Sequence, residues 1–386
     1  MQLLKKMWRF AGYLWEFVKY YALYPIAIWK YRGRKIYLIA ERGTDARDNG
    51  YHMYRYIRQN HPELEAYYVI ADQSADRPKV EVYGNVVRWK SLKHYLLFIA
   101  AEYKISTHIA GYSPNINFYT KYVGKLRWHG KKVFLQHGII KDDLQSLYWE
   151  NTRVDLFICG AKPEYDYVAS AFHYKGQVKY TGLARHDALH EVELKPQVLL
   201  MPTWRMYLSK LSVDKFAKSD FVEKWNQVLR DERLIAAAKK AGIQIVFYPH
   251  YEVQKHLKLF TSTDPSVVIA DFGHYDVQQL LKESQLLVTD YSSVYFDFAY
   301  MEKPCVYYQF DAEQFFAEHY SKGYFDYHTM GFGEVVQDQT QLVDYIIRYI
   351  ENGFQIPQQY KNRIEGFFPL RDEQNCRRIL EEIQKL

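Results

Sequence analysis

Residues 286–298 read Leu-Leu-Val-Thr-Asp-Tyr-Ser-Ser-Val-Tyr-Phe-Asp-Phe. The apolar run Leu286–Val288 predicts a buried strand, the polar residues after it predict a turn, and the apolar spacing of Val294–Met301 predicts a helix. In a strand, turn and helix of this order, backbone N–H groups point toward one place and favour an anion there. Ser292 and Ser293 fit the N-cap of the helix and carry hydroxyls that can donate to a phosphate. The segment therefore predicts a phosphate site, although N-capping alone would explain both serines.

Strands and helices alternate outward from this segment in both directions. The apolar runs that predict strands are Ile36–Ala40, Ala66–Ile70, Val86–Trp89, Tyr103–Thr107, Lys132–Leu135 and Leu156–Cys159, and then Val198–Leu200, Gln244–Tyr248, Ser266–Ile269, Leu286–Val288 and Val306–Tyr308. This alternation predicts parallel sheets, which bind ligands at the carboxyl ends of their strands. At 386 residues the chain is long enough for two domains. We therefore expect an α/β fold with two Rossmann-like domains that face a cleft.

The pattern divides the chain into four parts. We predict a basic segment over residues 1–34, a first Rossmann-like domain over 35–190, a second over 191–370 and a C-terminal helix over 371–386. The polar stretch His186–Pro196 is the predicted linker between the two domains. The last helix is expected to pack back on the N-terminal domain.

The basic charge of the chain lies in its N-terminal segment. Residues 1–35 hold eight lysine or arginine residues and one acid, Glu16, whereas the whole chain has a net charge of +6. The remainder is therefore nearly neutral, which argues against a nucleic-acid-binding protein, because that would need its own basic face. Residues 7–29 are rich in aromatic and aliphatic side chains, but Arg9, Glu16 and Lys19 make a membrane-spanning helix a poor fit. The segment predicts an amphipathic helix in the membrane interface; the alternative is a helix packed on its own domain.

The cysteines and the adjacent carboxylates bear on metals and redox chemistry. Cys159, Cys305 and Cys376 are far apart and odd in number, which argues for a reducing compartment and against a disulfide framework or a zinc cluster. The run Lys141-Asp142-Asp143 offers two carboxylates, but adjacent side chains point apart on a helix and do not form an oxygen-ligand loop. We predict no protein-bound metal and no cofactor.

Four blocks of the sequence together resemble one protein family. They are Gln136-His137-Gly138, Pro202-Thr203-Trp204-Arg205, Tyr248-Pro249-His250, and the segment from Thr289 to Phe298 with Lys303-Pro304 after it. In this order and spacing they resemble the CDP-glycerol glycerophosphotransferase family, the teichoic-acid and capsule polyol-phosphate transferases of bacteria. The match covers about two thirds of the chain, and four blocks in order are far more specific than one motif. The resemblance implies a GT-B-like arrangement of the two domains.

Three residues in these blocks are candidates for the chemistry. His137 follows a predicted strand, where an imidazole can act as a general base near neutral pH. A structural histidine that caps the next helix is the alternative, and the resemblance implies the catalytic role. Arg205 can bind two phosphate oxygens at once, unless it forms a surface ion pair. His250 follows another strand, and the resemblance implies that it helps to bind the donor pyrophosphate rather than only a backbone carbonyl; we expect His137 and His250 to be catalytic.

The phosphate turn contributes most of the remaining candidates. We predict that the substrate-binding residues are Arg205, Thr289, Asp290, Ser292, Ser293 and Asp297. Asp297 lies about one helical turn after Ser293, so it is placed either to face the ribose hydroxyls or to form an ion pair nearby.

Two further segments carry weaker signals. Arg42–Gly50 is a charged loop after the first predicted strand; it lacks the G-x-G-x-x-G spacing of a dinucleotide site and is a candidate for acceptor binding. Gly182–Asp187 resembles a family block that usually has proline where Ala184 stands. That departure weakens any prediction for Arg185.

The resemblance implies transfer of glycerol phosphate or another polyol phosphate from a CDP-activated donor to a lipid-linked saccharide or polyol-phosphate acceptor, with release of CMP. The implied partners are CDP-glycerol or CDP-ribitol, a polyprenyl-pyrophosphate-linked acceptor and the cytoplasmic face of the cell membrane, where the chain would be peripheral. The alternatives are a GT-B glycosyltransferase that uses a nucleotide sugar and a membrane-bound scaffold with a vestigial site. The choices between glycerol and ribitol and between primase and polymerase stay open, although the lack of a long domain before the sheets slightly favours a primase-like or capsule enzyme.

Overall fold

A computed structural model of the chain shows two compact units. The structure describes residues 2–190, 193–209, 211–318 and 322–386, apart from the side chains of residues 2–6 and 9. The first unit holds the residues up to Ile139, Gln145–Ala188 and Asp372–Leu386, and the second holds Ile140–Leu144 and Leu189–Arg371. The boundary falls inside the predicted linker His186–Pro196, of which residues 191–192 lie outside the described part of the chain.

The first unit is built on a seven-stranded parallel sheet. Its strands are β1 (Ile36–Ala40), β2 (Glu65–Ile70), β3 (Val86–Arg88), β4 (Tyr103–Ser106), β5 (Lys131–Phe134), β6 (Leu156–Cys159) and β7 (Val178–Tyr180). Its helices in chain order are α1 (Gln2–Lys30), α2 (Asn49–Asn60), α3 (Arg77–Glu81), α4 (Leu92–Ala100), α5 (Ile116–Lys121), α6 (Trp149–Thr152) and α7 (Lys162–Ala171). The strand order is β3-β2-β1-β4-β5-β6-β7. The order reverses between β1 and β4, and sheets of this type bind ligands at that reversal.

The second unit repeats this plan with six parallel strands. They are β8 (Gln197–Leu200), β9 (Gln244–Phe247), β10 (Val267–Ile269), β11 (Leu286–Thr289), β12 (Cys305–Tyr308) and β13 (Gly333–Val336), in the order β10-β9-β8-β11-β12-β13. The helices are α8 (Val213–Ala217), α9 (Asp220–Leu229), α10 (Glu232–Ala241), α11 (Tyr251–Gln254), α12 (Val277–Glu283), α13 (Val294–Tyr300), α14 (Ala312–Glu318), α15 (Gln339–Glu351) and α16 (Gln358–Phe367). Here the order reverses between β8 and β11. The prediction of an α/β fold with two parallel sheets is confirmed.

Burial of the strands explains why their sequences are continuous apolar runs. All five residues of β1 and all four residues of β8 are buried. Helices cover both faces of a parallel sheet, so neither face of a central strand needs polar side chains. In the second unit, Trp225 of α9 is fully buried, and its ring meets Tyr308 of β12 edge-on at 5.4 Å. Each unit therefore has its own apolar core.

The chain ends with α17 (Asn375–Gln384), which belongs to the first unit. Asp187 holds the start of this helix, because its carboxylate accepts hydrogen bonds from the backbone N–H groups of Asn375 at 2.9 Å and Cys376 at 2.8 Å. This is the packing that was expected for the last helix from its sequence.

Helix α1 has two apolar faces. On one face, Tyr20 and Ala27 belong to the core of the first unit. On the other, Trp8, Trp15 and Trp29 are 78%, 61% and 80% exposed. Residues seven apart return to nearly the same side of a helix, so the three tryptophans share a face. No helix in the described part of the chain is long and apolar enough to cross a membrane.

Candidate active site

Polar side chains collect at the carboxyl edge of the second sheet, beside the reversal of strand order. The loop after β8 carries Thr203, Trp204 and Arg205, the loop after β9 carries His250, and the turn after β11 begins with Asp290. The sequence places these residues after separate strands, and the parallel sheet brings the ends of those strands to one edge.

Arg205 is the buried centre of this edge. Its side chain has no exposed surface, and Nη1 lies 2.9 Å from Asp290 Oδ2 while Nε lies 2.6 Å from Asp311 Oδ2. Nη1 also donates to the Thr203 carbonyl at 2.7 Å. Burial lowers the pKa of Arg205, but the charge of Asp290 and the hydrogen bonds of Asp311 outweigh it and hold that pKa above its ordinary value. The guanidinium therefore ties the loop after β8 to the turn after β11.

Asp311 completes this buried network, and sequence reasoning missed it. Besides Arg205, its carboxylate accepts hydrogen bonds from the hydroxyls of Tyr207 at 2.6 Å and Tyr291 at 3.1 Å. Burial raises the pKa of Asp311, but Arg205 and the two hydroxyls outweigh it, so the pKa lies below its usual range and the group stays ionised. The sequence feature that could have identified Asp311 was its position, three residues after the predicted strand Val306–Tyr308.

Three of the predicted substrate-binding residues are buried in this structure along with Arg205. Thr289 has no exposed surface, and its hydroxyl donates to the Met201 carbonyl at 2.8 Å. Asp290 also has none, and it accepts the backbone N–H of Thr203 at 2.9 Å. Asp297 is 8% exposed on α13. The bonds of Thr289 and Asp290 shape the turn from inside, and direct contact of these residues with substrate stays a prediction.

Ser292, Ser293 and His250 are the predicted residues of this edge that reach its surface, where each is partly exposed. Ser293 is the N-cap residue of α13, but its side chain makes no capping hydrogen bond, so capping does not account for its hydroxyl.

His250 is oriented as a hydrogen-bond donor. Its Nδ1 accepts the backbone N–H of Glu252 at 3.3 Å, which leaves the proton of the neutral ring on Nε2. The ring also lies nearly parallel to Trp204, with 6.2 Å between the ring centres. Burial lowers the pKa of His250, so the ring is neutral at pH 7.

In the first unit, hydrogen bonds from several side chains fix the backbone around His137. Gln136 before it has a left-handed φ of +61°, which non-glycine residues adopt rarely. Asn49 is fully buried and donates to the Gln136 carbonyl at 2.8 Å. Arg185 donates to the His137 carbonyl at 2.9 Å and pairs with Asp48 at 2.7 Å. Such a strained and well-bonded loop is typical of a functional site.

The His137 ring itself remains solvent-exposed at the carboxyl end of β5. It stacks on His108, with 4.7 Å between ring centres and 10° between planes. Desolvation lowers the pKa of His137, and the positive charges of Arg42 and Arg185 lower it further, against the opposite effect of Asp48. The imidazole is therefore neutral near pH 7 and able to accept a proton.

Sequence reasoning missed His108, gave little weight to Arg185, and named Asn49 only as part of the candidate acceptor loop Arg42–Gly50. These residues follow β1, β4 and β7, whereas His137 follows β5. The sequence does not show that Arg185 reaches the loop of a strand almost 50 residues earlier, since that contact depends on the order of the strands. Of the three, His108 alone gave a local signal, as a polar residue directly after a predicted strand; Asn49 comes nine residues after β1, and the strand before Arg185 was not predicted.

A family model matches nearly the whole chain. The model is described as CDP-glycerol:poly(glycerophosphate) glycerophosphotransferase, and it matches residues 23–385. This span includes both sheets and every candidate residue named above.

Two curated bacterial relatives are similar to this chain. The minor teichoic acid biosynthesis protein GgaB of Bacillus subtilis (strain 168) is 33% identical over 92% of this chain, which spans 40% of that protein's length. A teichoic acid glycerol-phosphate transferase of Staphylococcus aureus (strain NCTC 8325 / PS 47) is 25% identical over 67% of this chain and 70% of its own length.

The fold has a counterpart of known structure. A structure of the wall teichoic acid polymerase TagF, solved after a soak with CDPG, superposes with a TM-score of 0.66 and 16% identity over 91% of this chain and 88% of that chain. At this identity the likeness concerns the fold alone. The family model, which covers both units, decides the assignment: the chain belongs to the CDP-glycerol:poly(glycerophosphate) glycerophosphotransferase family.

Proposed function

We propose that this chain transfers a polyol phosphate, glycerol phosphate in the first instance, from a CDP-activated donor to a lipid-linked saccharide or polyol-phosphate acceptor and releases CMP. Family membership supports this class of reaction. The observation that carries the proposal is the state of His137, an exposed and neutral imidazole on a backbone that Asn49 and Arg185 hold in place. A general base needs this combination of access, protonation state and fixed position.

The proposed step is a direct displacement at phosphorus. His137 accepts the proton of an acceptor hydroxyl while the hydroxyl oxygen attacks the β-phosphorus of the donor. The bond from that phosphorus to the bridging oxygen breaks, and CMP leaves with the electron pair. The new phosphodiester carries the polyol, and the proton stays on His137 until solvent removes it. Positioning and electrostatic stabilisation suffice for phosphoryl transfer of this kind.

The second unit is assigned to the donor. The Nε2–H of His250 and the hydroxyls of Ser292 and Ser293 are the proposed donors to the pyrophosphate oxygens, on which negative charge grows as CMP leaves. Arg205 is given a positioning role in this account, because Asp290 and Asp311 occupy most of its hydrogen-bonding capacity. The chemistry needs no protein-bound metal or cofactor, and this stays a prediction.

The exposed face of α1 is assigned to the membrane surface that holds the lipid-linked acceptor. Trp8, Trp15 and Trp29 present a large apolar surface on the side of the helix opposite to its packed face. Lys30 and Arg32 are exposed at the end of the same helix and suit anionic headgroups. An interfacial helix with tryptophans and basic residues lies in the headgroup region without crossing the bilayer. The proposed surface is the cytoplasmic face, whose anionic lipids attract basic side chains.

A panel of donors tests the proposal. The purified chain is incubated with CDP-glycerol, CDP-ribitol or a set of UDP-sugars, each with and without a polyprenyl-pyrophosphate disaccharide acceptor. We expect CMP release that depends on the acceptor, and the donor that supports it identifies the polyol. Release of UDP without any release of CMP would instead show a glycosyltransferase.

A further inference from the structure

Arg42 lies near the His137 ring; a hydrogen bond orients its side chain, and it forms no ion pair with any of the described residues. Arg42 Nε donates to His108 Nε2 at 2.9 Å. Because that nitrogen accepts, the proton of the neutral His108 ring lies on Nδ1, which is 2.9 Å from the Thr107 hydroxyl. His108 in turn stacks on His137. Arg42, His108 and His137 therefore form one connected group.

Arg42 differs from other arginines at the carboxyl edge of the first sheet, because its hydrogen-bond partner, His108, is neutral. Arg185 pairs with Asp48 at 2.7 Å, and Arg47 pairs with Asp76 at 2.6 Å. Burial lowers the pKa of His108 to about 3, so its ring is uncharged at neutral pH and adds no positive charge beside Arg42. Within the described residues, the two terminal NH₂ groups of Arg42 have no hydrogen-bond partner. An exposed guanidinium in this state is suited to a bidentate contact with a phosphate.

The backbone that presents Arg42 is also fixed. The Ser106 hydroxyl donates to the Glu41 carbonyl at 3.1 Å, and the Ala71 N–H donates to the Gly43 carbonyl at 2.8 Å. Gly43 has φ +80°, and a side chain there would meet the Trp89 ring at 2.7 Å. Arg42 follows β1 and His108 follows β4, so the pair lies at the reversal of strand order in the first sheet, where such sheets bind ligands.

We propose that Arg42, aligned by His108, binds a phosphodiester anion of the acceptor beside the hydroxyl that His137 deprotonates. The inference rests on the proposed function and adds a substrate feature to it. An acceptor that ends in glycerol phosphate carries its phosphate a few bonds from the reacting hydroxyl, within reach of a neighbouring arginine. The terminal phosphate then orients the hydroxyl toward His137, and His108 is a positioning residue for both side chains.

Binding without a donor tests the site independently of turnover. The probe is glycerophosphoglycerol, a soluble glycerol phosphodiester, and the measurement is its dissociation constant for the full chain. We expect Arg42→Gln to weaken binding about tenfold, the effect of losing one charge-assisted contact. Arg88→Gln is the control, because it removes an equal charge from an exposed arginine at the end of β3. Equal affinities of the wild type and Arg42→Gln, or equal losses in both variants, would overturn the proposal.

Two substitutions of His108 separate its two contacts. His108→Gln keeps a hydrogen-bond acceptor for Arg42 Nε but loses the ring that stacks on His137. We therefore expect kcat to fall while the KM for the acceptor substrate changes little. His108→Phe keeps a ring that can stack on His137 but loses the nitrogen that accepts the hydrogen bond from Arg42. The KM for the acceptor substrate should therefore rise about as much as in Arg42→Gln. Adding Arg42→Gln to His108→Phe should then raise KM little further. Identical kinetics of the two His108 variants, or a rise in donor KM alone, would contradict the assignment.

If the wild type releases no CMP from any CDP-polyol but binds glycerophosphoglycerol through Arg42, the proposed reaction fails while the phosphodiester site stands. If CMP is released and the affinity for the probe does not depend on Arg42, the reaction stands and this inference fails. The two proposals therefore have separate outcomes.

Discussion

At the residue scale, the protonation state of His137 fixes the expected pH dependence of the reaction. Desolvation first, and then Arg42 and Arg185, lower the pKa of His137 below the ordinary value of 6.5. A base acts in its neutral form, so kcat/KM should be constant above pH 6.5 and should fall as the pH drops below the lowered pKa. The measurement is the pH profile of CMP release. The fall in kcat/KM at low pH should persist in His250→Gln, because it is assigned to His137. A fall centred above pH 7 would contradict this assignment.

The buried network around Arg205 predicts a stability effect. Asp311→Asn removes a carboxylate from a guanidinium that has no exposed surface. Leaving a buried charge partly unpaired costs about 3 kcal/mol, so the free energy of unfolding in urea should fall by that order. Asp344→Asn is the matched control, because it breaks the exposed pair with Arg233 and should change stability little. Equal effects of the two substitutions would show that the Arg205 network does not stabilise the second unit.

The residues of the site differ in how far the sequence could reveal them. His137 and His250 stand directly after strong apolar runs, so their place at the edge of a sheet followed from local pattern. Asn49 and Asp311 act through contacts with segments more than 80 residues away, namely with Gln136 and Arg205. Those contacts depend on strand order and on loop conformations, which a hydrophobic pattern does not encode.

At the scale of elements, the central strands were predictable and two edge strands were not. The predicted strands all lie within two residues of their observed bounds. Nine of them are central strands, in which helices bury both faces and leave a continuous apolar run. The other two, β3 (VVR) and β10 (VVI), are edge strands that still carry a short apolar run. The missed strands, β7 (VKY) and β13 (GEVV), are at sheet edges, and each contains partly exposed residues. Edge strands pair on one side only and need less apolar sequence.

The turn before α13 is the element on which donor binding is predicted to depend. Ser292→Ala and Ser293→Ala should each raise the KM for the CDP-polyol several-fold, as expected for loss of one hydrogen bond to a charged group. The acceptor KM should stay constant, since the acceptor is assigned to the first unit. Ser170→Ala, at an exposed site on α7, is the control. Unchanged donor KM in both turn variants would remove these hydroxyls from the proposed phosphate site.

At the scale of the whole molecule, the exposed face of α1 predicts binding to anionic membranes. The full chain should sediment with vesicles that contain anionic lipid, less so at high salt, because the contact combines tryptophan burial with basic side chains. Trp15→Glu combined with Trp29→Glu should weaken this binding at least tenfold, given the apolar area that the two rings expose.

The control for that experiment is Val82→Glu, which changes an exposed apolar residue of the first unit outside α1. Binding that is the same for the tryptophan variant and the wild type would contradict the membrane assignment. Conversion of a wild-type dimer to a monomer by the tryptophan substitutions would show that a second copy of the chain covers this face.

The most direct test of the account is acceptor-dependent CMP release from the CDP-polyol by the wild type and by His137→Ala, under saturating substrates. Loss of a general base should lower kcat by a factor of about 10² to 10⁴, while the dissociation constant of the CDP-polyol stays the same. His173→Ala, at an exposed histidine of the same unit, should retain full activity. Acceptor-dependent release by His137→Ala at the wild-type rate would contradict the central claim that this chain transfers a polyol phosphate with His137 as its base.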